Sequence, residues 1–445
     1  MIPVIAIFDI GKTNKKLFLF DEAYQVVYER NESFPEIKDE DGDDCEDLGQ
    51  LTDFVVGSFK DICSKAEFKI VGINFSAYGA SLVYLDECGR VLTPLYNYLK
   101  KYPEDIKQKF YSAFGGEEAF SLRTASPVLG SLNSGMQIYR IKQEKPKVFR
   151  AISVVLHLPQ FVSYLITAKF YSDITSIGCH TNLWDFSRKK YHDWTRSEQV
   201  DHLLAPIRQA SQTLEVSQHN KNIVAGIGLH DSSAALIPYL KLTDQPFLLI
   251  STGTWCISLN PFTDIALTAE ELKADCLCYL TPEGVSVKAS RIFAGYLHGQ
   301  LVNKLAQHYS KANDYYATIR FDPGIFEKIK GKSKDYWGDE FQLAEFLTYE
   351  EAYHYFVNEL AEKQYFSTLL VLRNSPVKQI YVDGGFCKND VFMNLLSLHF
   401  KGLPVYSATV AHGSALGAAL VIHDSWNKKN FPLDLITLTN FSQKK

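Results

Sequence analysis

Two related α/β domains, each opening on a strand, a small-residue turn and a second strand, are what this sequence predicts. Two observations carry that expectation. The pattern Val4–Phe8, Asp9-Ile10-Gly11-Lys12-Thr13-Asn14, Leu17–Phe20 returns as Phe247–Ile250, Ser251-Thr252-Gly253-Thr254, Cys256–Leu259, so both halves begin alike. The chain has 445 residues, more than one hydrophobic core normally serves. Apolar runs joined at a glycine-bearing turn read as β-hairpins. A third stretch of the same shape, Val71–Phe75, Ser76-Ala77-Tyr78-Gly79, Leu82–Leu85, is expected to be a hairpin as well.

Helices are expected between these strands. Leu48, Leu51, Val55 and Phe59 share one helical face. The preceding run from Glu36 to Asp47 holds eight acids and one lysine. Its glycine comes too early for an EF-hand, so it reads as a solvated loop with acids at a helix N-terminus. Further helices are expected over 156–167, 292–309, 343–370, 390–400 and 414–426. The short strand Gln379–Val382 runs into Asp383-Gly384-Gly385. The polar stretch 218–221 reads as the boundary, giving domains of residues 1–220 and 221–445.

Composition narrows the partners. The hydrophobic fraction is 46% and the charged fraction 22%, ordinary for a globular protein. A net charge of −5 with no basic stripe argues against nucleic acid. The apolar start is cut by Asp9 and lacks a basic n-region, so it reads as a first strand rather than a signal peptide; neither a membrane span nor a membrane partner is expected. The eight cysteines form no C-x-x-C pair, which disfavours zinc and suits reduced thiols in a cytoplasmic protein.

Four groups of residues can carry chemistry. In Asp9–Asn14, Gly11 lets backbone N–H groups approach an anion, Thr13 and Asn14 add donors, and Asp9 at the strand end can face hydrated magnesium. Ser251–Thr254 suits the other side of a phosphate chain. Asp383-Gly384-Gly385-Phe386-Cys387-Lys388-Asn389 allows a flat ring or a phosphate to lie against backbone. Each of the three also reads as an ordinary turn. The fourth is Asp231, in Ile227-Gly228-Leu229-His230-Asp231-Ser232-Ser233-Ala234-Ala235. A carboxylate at a strand-to-helix junction can take a proton from a hydroxyl in a phosphoryl transfer, or simply cap a helix. His230 is either a substrate donor or a packed imidazole. Tyr78, Tyr96 and Tyr98 are aromatic candidates to line a cleft. No G-x-G-x-x-G follows the first strand, which weighs against a dinucleotide oxidoreductase.

Taken as an ordered set, Asp9-Ile10-Gly11, the Gly79 turn with Leu85-Asp86 and Gly89, His230-Asp231, Thr252-Gly253-Thr254, Asp383-Gly384-Gly385 and Ala415-Leu416-Gly417-Ala418 resemble the FGGY family of carbohydrate kinases in the actin-like ATPase superfamily. The resemblance implies two ribonuclease-H-like domains flanking a central cleft, with sugar mainly on the first and ATP mainly on the second. It makes Asp231 the catalytic base and Asp9 the magnesium-linked acid. Gly11, Lys12, Thr13, Asn14, Thr252, Gly253, Thr254, Gly384, Gly385 and Asn389 become nucleotide-binding. Tyr78, Gly79, Ala80, Ser81 and His230 become substrate-binding. The His-Asp pair, Ser76 to Asp86 and Asn133 to Gln137 are most similar to the rhamnulose kinase branch. The expected substrate is therefore a 6-deoxyketose such as L-rhamnulose or L-fuculose, phosphorylated by ATP with Mg2+. The alternatives are xylulose or ribulose, or a nucleotide-gated sugar sensor without turnover. The expected assembly is a monomer or homodimer. Ser81, Lys12 and His412 depart from the branch, at positions where an acid, a small residue and a Glu are customary.

Overall fold

The computed structural model describes residues 1–218, 221–243, 245–330 and 343–442. The first lobe is built from β1 (Ile2–Ile10), β2 (Lys15–Asp21), β3 (Val26–Glu32), α1 (Leu48–Ser64), β4 (Phe68–Ala77), β5 (Leu82–Leu85), α2 (Ser134–Glu144), β6 (Val154–His157), α3 (Leu158–Thr167), β7 (Thr213–Gln218), β8 (Lys221–Gly226), β9 (Leu229–His230) and α4 (Asp231–Leu242). The second contains β10 (Phe247–Thr252), β11 (Cys256–Asn260), β12 (Cys276–Leu280), β13 (Ser286–Ile292), α5 (Ala294–His308), α6 (Tyr349–Leu372), β14 (Gln379–Gly384), α7 (Asp390–His399), β15 (Val405–Thr409), α8 (Gly413–Leu420), α9 (His423–Trp426) and β16 (Thr437–Asn440).

The two sheets repeat one plan. The first runs β7-β8-β4-β1-β2-β3, with β9 also paired to β4, and the second runs β12-β13-β11-β10-β14-β15-β16. In each, the opening strand pairs antiparallel with the next in sequence and parallel with a later one that returns through a helical crossover. This is the doubled ribonuclease-H-like arrangement that the resemblance implies. Central strands are covered on both faces, which is why β1 and β10 read as nearly unbroken apolar runs. In α1, Leu48, Leu51, Val55 and Phe59 are all buried, and Asp47 caps its start by accepting from the Gln50 N–H at 3.0 Å.

Four expectations are corrected. The Gly79 stretch is not a hairpin: both edges of β4 are taken, by β1 on one side and by β8 and β9 on the other, so β5 leaves the sheet and pairs with β6. Residues 218–221 do not separate the lobes, because β7 and β8 pair with Gln218 opposite Lys221, and β8 and β9 complete the first sheet. We propose that the division falls after α4 instead. The acidic run is not simply solvated: Asp39 and Glu46 are buried, Asp39 accepting from Lys100 at 2.5 Å and Glu46 pairing with Lys15. The expected helix over 414–426 breaks into α8 and α9.

Helices α4 and α8 join the lobes. Ile5, Ile7, Phe18 and Phe20 of the first sheet share a core with Ala234 and Ile237 of α4 and with Ala415, Leu416, Ala418 and Ala419 of α8. The other side of α4, through Leu236 and Tyr239, packs on Phe247, Leu249 and Tyr381 of the second sheet. A side chain at Gly417 would overlap the Ala234 carbonyl, so the two helices touch backbone to backbone. Among the described residues, no helix is long and apolar enough to cross a membrane.

Candidate active site

Strand register assembles the acids. Asp9 lies opposite Ser76 on β4, and Leu229 lies opposite the same Ser76 from the other edge. Asp9 and the His230-Asp231 pair therefore emerge at the C-terminal ends of β1 and β9, the parallel strands that flank β4, where open α/β sheets form their crevices. In the second sheet Asp383 stands opposite Ser251 at the equivalent end. Asp9 accepts from the Ser414 hydroxyl at 2.9 Å, which ties the first lobe to the start of α8.

Enclosure by the surrounding protein pushes the carboxyl groups of Asp9, Asp231 and Asp383 each up to about 6. The Asp231 charge adds to the rise at Asp9. Asp231 retains 34% side-chain exposure, enough to meet a ligand. Its Oδ1 accepts from the Ser232 N–H at 2.6 Å.

His230 supports Asp231 and is closed off from solvent. Its ring is 3% exposed, stacks on Tyr279 of the second lobe at 5.6 Å, and places Nε2 3.2 Å from Asp231 Oδ1 and 3.1 Å from Cys179 Sγ. Burial lowers the imidazole to about 3, so it is neutral. These contacts favour the packed imidazole over the substrate donor. A side chain at Gly79 would come within 2.8 Å of Cys179 Sγ and 3.0 Å of the His230 ring, so glycine there lets the end of β4 lie against them.

The other sugar-side candidates are mostly engaged elsewhere. Ala80 and Ser81 are buried, and their carbonyls accept from Gln137 at 2.8 Å and from the Leu158 N–H at 3.1 Å. The Tyr78 hydroxyl donates to Glu46, and the Tyr96 hydroxyl donates to Glu40 on the acidic run. Tyr98 is half-buried; enclosure raises its phenol, and the Asp231 charge adds to this.

The first turn is closed by the Gly11 N–H donating to the Asn14 carbonyl at 2.9 Å, with Thr13 and Asn14 exposed. Lys12 is drawn aside to Glu36 at 2.6 Å. In the second turn, the Thr252 hydroxyl donates to the Asp383 carbonyl and accepts from the Phe386 N–H at 3.0 Å, locking β10 to the end of β14. Gly384 has φ +80°, and a side chain there would overlap Thr252. Gly253, Thr254, Gly385 and Asn389 line a cavity of about 730 Å³, within the usual range for small-molecule sites. Asn389 is also structural: Oδ1 caps α7 through the Phe392 N–H at 3.0 Å, and Nδ2 donates to Tyr353 at 2.7 Å.

Sequence reading missed the far wall of that cavity. Gly295 and Gly299, one turn apart on α5, together with Tyr296, His298, Tyr316 and Ala317 complete it. Two glycines at i and i+4 in an expected helix were the available signal. Ser414 and the Asp383 carboxylate were also missed as site groups.

The acids suit a hard cation. Asp383 Oδ1 is buried without a hydrogen-bond partner at the end of β14, and Asp9 supplies a carboxylate at the C-terminal end of β1. Among the described residues no three ligands converge to cage a metal. Mg2+ keeps its waters and leans on one or two carboxylates and a substrate's phosphates, the donor type these acids supply.

The family model described as FGGY family of carbohydrate kinases, N-terminal domain, matches residues 4–237, and the C-terminal domain model matches residues 344–422. A rhamnulokinase of Mannheimia succiniciproducens is 22% identical over 274 residues, covering 58% of this chain and 55% of the relative. One from Bacteroides thetaiotaomicron is 22% identical over 238 residues, covering 51% and 48%. The chain thus spans about half the length of the rhamnulokinases it matches. A carbohydrate kinase from Novosphingobium aromaticivorans superposes with TM-score 0.81 at 21% identity, covering 99% of this chain and 94% of that one. A xylulose kinase from Lactobacillus acidophilus gives 0.79 at 16% identity, covering 99% and 94%. With both domain models matched in order along most of its length, the chain belongs to the FGGY family of carbohydrate kinases.

Proposed function

We propose that the protein phosphorylates a ketose at a terminal hydroxyl with ATP, and that a 6-deoxyketose such as L-rhamnulose or L-fuculose is its substrate. The carrying observation is the strand register that sets Asp9 and the His230-Asp231 pair on either side of β4 at the C-terminal edge of the first sheet. The rhamnulokinase matches support the 6-deoxyketose. Likeness to xylulose kinases at 16% identity speaks to fold alone.

In this reading Asp231 accepts the proton of the sugar hydroxyl as that oxygen forms its bond to the γ-phosphorus. The bond from the γ-phosphorus to the bridging oxygen breaks, and ADP leaves with the electron pair. Asp9 and the free Oδ1 of Asp383 would hold hydrated Mg2+, which when bound offsets negative charge on the phosphates. The glycine N–H groups close the Gly11 and Gly253 turns on Asn14 and Trp255, so phosphates would meet the other backbone N–H groups of those turns, and the cavity beside Gly385 and Tyr296 takes the adenosine. Positioning and fixed charges supply most of the acceleration.

The test is ADP release across rhamnulose, fuculose, xylulose and ribulose. Sugar-dependent release highest with rhamnulose or fuculose supports the reading. A preference for xylulose or ribulose moves the substrate to pentuloses, and sugar binding without ADP release makes the protein a sensor.

Two expected results arise here. Asp231 acts as a base only when ionised, so kcat/KM should fall as pH drops through about 6, roughly tenfold per unit below it. A rate unchanged down to about pH 4.5 would remove Asp231 from that role. Stability has the opposite sign. A carboxyl raised to about 6 binds its proton more readily in the folded state, so its stabilising contribution is full at low pH and is lost as pH rises toward 6. Buried His157, His180 and His230, each lowered to about 3, run the other way, losing stability as pH falls below the ordinary imidazole range. The activity limb is therefore the cleaner readout.

Gly299→Trp tests the cavity. A Cβ at Gly299 meets nothing within 4 Å, so an indole can enter the space without displacing the wall. ATP affinity should fall at least about tenfold, while the melting temperature holds or rises slightly as a helical glycine is lost. Unchanged affinity by calorimetry would move the nucleotide elsewhere.

A further inference from the structure

A buried polar network lies behind the first glycine turn. Lys15, the first residue of β2, is 2% exposed. Its ammonium donates to the Lys12 carbonyl at 3.0 Å, inside the turn, and pairs with the Glu46 carboxylate. Glu46 is 4% exposed, and its other oxygen accepts from the Tyr78 hydroxyl. Tyr78 follows β4; its N–H donates to the Ile10 carbonyl at 3.1 Å, and its ring meets Tyr98 edge-on at 6.0 Å. The Glu46 backbone bridges to Leu95, at the head of the segment that carries Tyr98. Glu46 thus joins three pieces of chain distant in sequence: the turn after β1 and the end of β4 through its carboxylate, and the segment leading to Tyr98 through its backbone.

A buried ion pair is poor value for stability, since desolvation consumes most of the attraction and an apolar pair of similar volume often serves better. Its geometry is what it supplies. Lys15 fixes a carbonyl of the turn, and Tyr78 fixes the strand end beside Gly79 and Tyr98. We propose that Glu46, held between Lys15 and Tyr78, is a positioning residue that sets the first glycine turn in register with the acceptor side of the cleft. This rests on the kinase reading for its effect on turnover. Phosphoryl transfer is sensitive to such register, because a displacement of about 1 Å between reacting groups can cost about a hundredfold in rate.

The test is the double variant Lys15→Met/Glu46→Gln in the full chain. It removes both charges together and leaves no unpaired buried ion, so the melting temperature should stay close to wild type. A methionine cannot donate to the Lys12 carbonyl, so the turn loses its tether. The expected result is a kcat about 10- to 100-fold lower with the sugar KM little changed. Affinity for magnesium AMP-PNP should be about tenfold weaker with unchanged affinity for adenosine. Wild-type kcat, or wild-type AMP-PNP affinity, in a stable double variant overturns the proposal and makes the network structural only. If wild-type protein turns over no ketose, the kinase reading fails, and the AMP-PNP and adenosine comparison still decides the network. Should the double variant not fold, Tyr78→Phe takes its place, keeping the ion pair and losing one hydroxyl. A lowered kcat at unchanged ADP affinity supports the proposal, and an unchanged kcat overturns it.

Discussion

Asp231→Asn is expected to lose about 10²- to 10⁴-fold in sugar-dependent ADP release, the range associated with removing a positioned general base. The substitution preserves shape and the acceptor that receives the Ser232 N–H, so α4 should still begin at the same residue. What disappears is the ability to take a proton at the 34% of the side chain left open. The charge that adds to the rise at Asp9 also disappears, so the Asp9 carboxyl group should then ionise at lower pH. Nucleotide affinity should hold, because the cavity is built from the second lobe. A folded variant with near-normal turnover would end the assignment of Asp231 as base, and with it the proton path given above.

The repeat was legible because its signal is local. Strand, glycine turn and strand lie within about twenty residues at Val4–Phe20 and again from Phe247, and each became an antiparallel pair. The Gly79 stretch carries the same local signal and failed, because pairing depends on which edges are free, and β4 has none. The acidic run was misread for a related reason. Lys15 and Lys100, which draw Glu46 and Asp39 inward, lie outside the run, and nothing within it announces them. Tyr96 follows the same logic, its hydroxyl claimed by Glu40. The cavity was half legible. Gly253, Thr254, Gly385 and Asn389 stand on turns that the sequence marks, whereas Gly295, Gly299 and Tyr316 become a wall only once α5 packs beside them. Candidate residues placed by local turns were easier to find than residues placed by a distant partner.

Gly417→Val should be the most damaging single change outside the acids, because one contact carries two functions. A Cβ at Gly417 would overlap the Ala234 carbonyl, and helix backbone cannot yield as a flexible side chain can. Forced separation of α4 and α8 should cost about 1–3 kcal/mol, the usual range for overpacking. The same motion disturbs both acids. Asp231 is the first residue of α4, and Ser414, in the first turn of α8, donates to Asp9 at 2.9 Å. Activity should therefore fall further than the lost stability explains, measured as kcat well below the melting temperature. Gly413→Ala is the control: a Cβ there makes ordinary contact at 3.9 Å with Ala235 and Val410, so both stability and kcat should hold. If Gly417→Val melts and turns over like wild type, α4 and α8 are not in backbone contact, and the path by which the second lobe aligns Asp9 with Asp231 is lost. If it melts lower with kcat unchanged, the contact is structural and the acids are aligned by their strands alone.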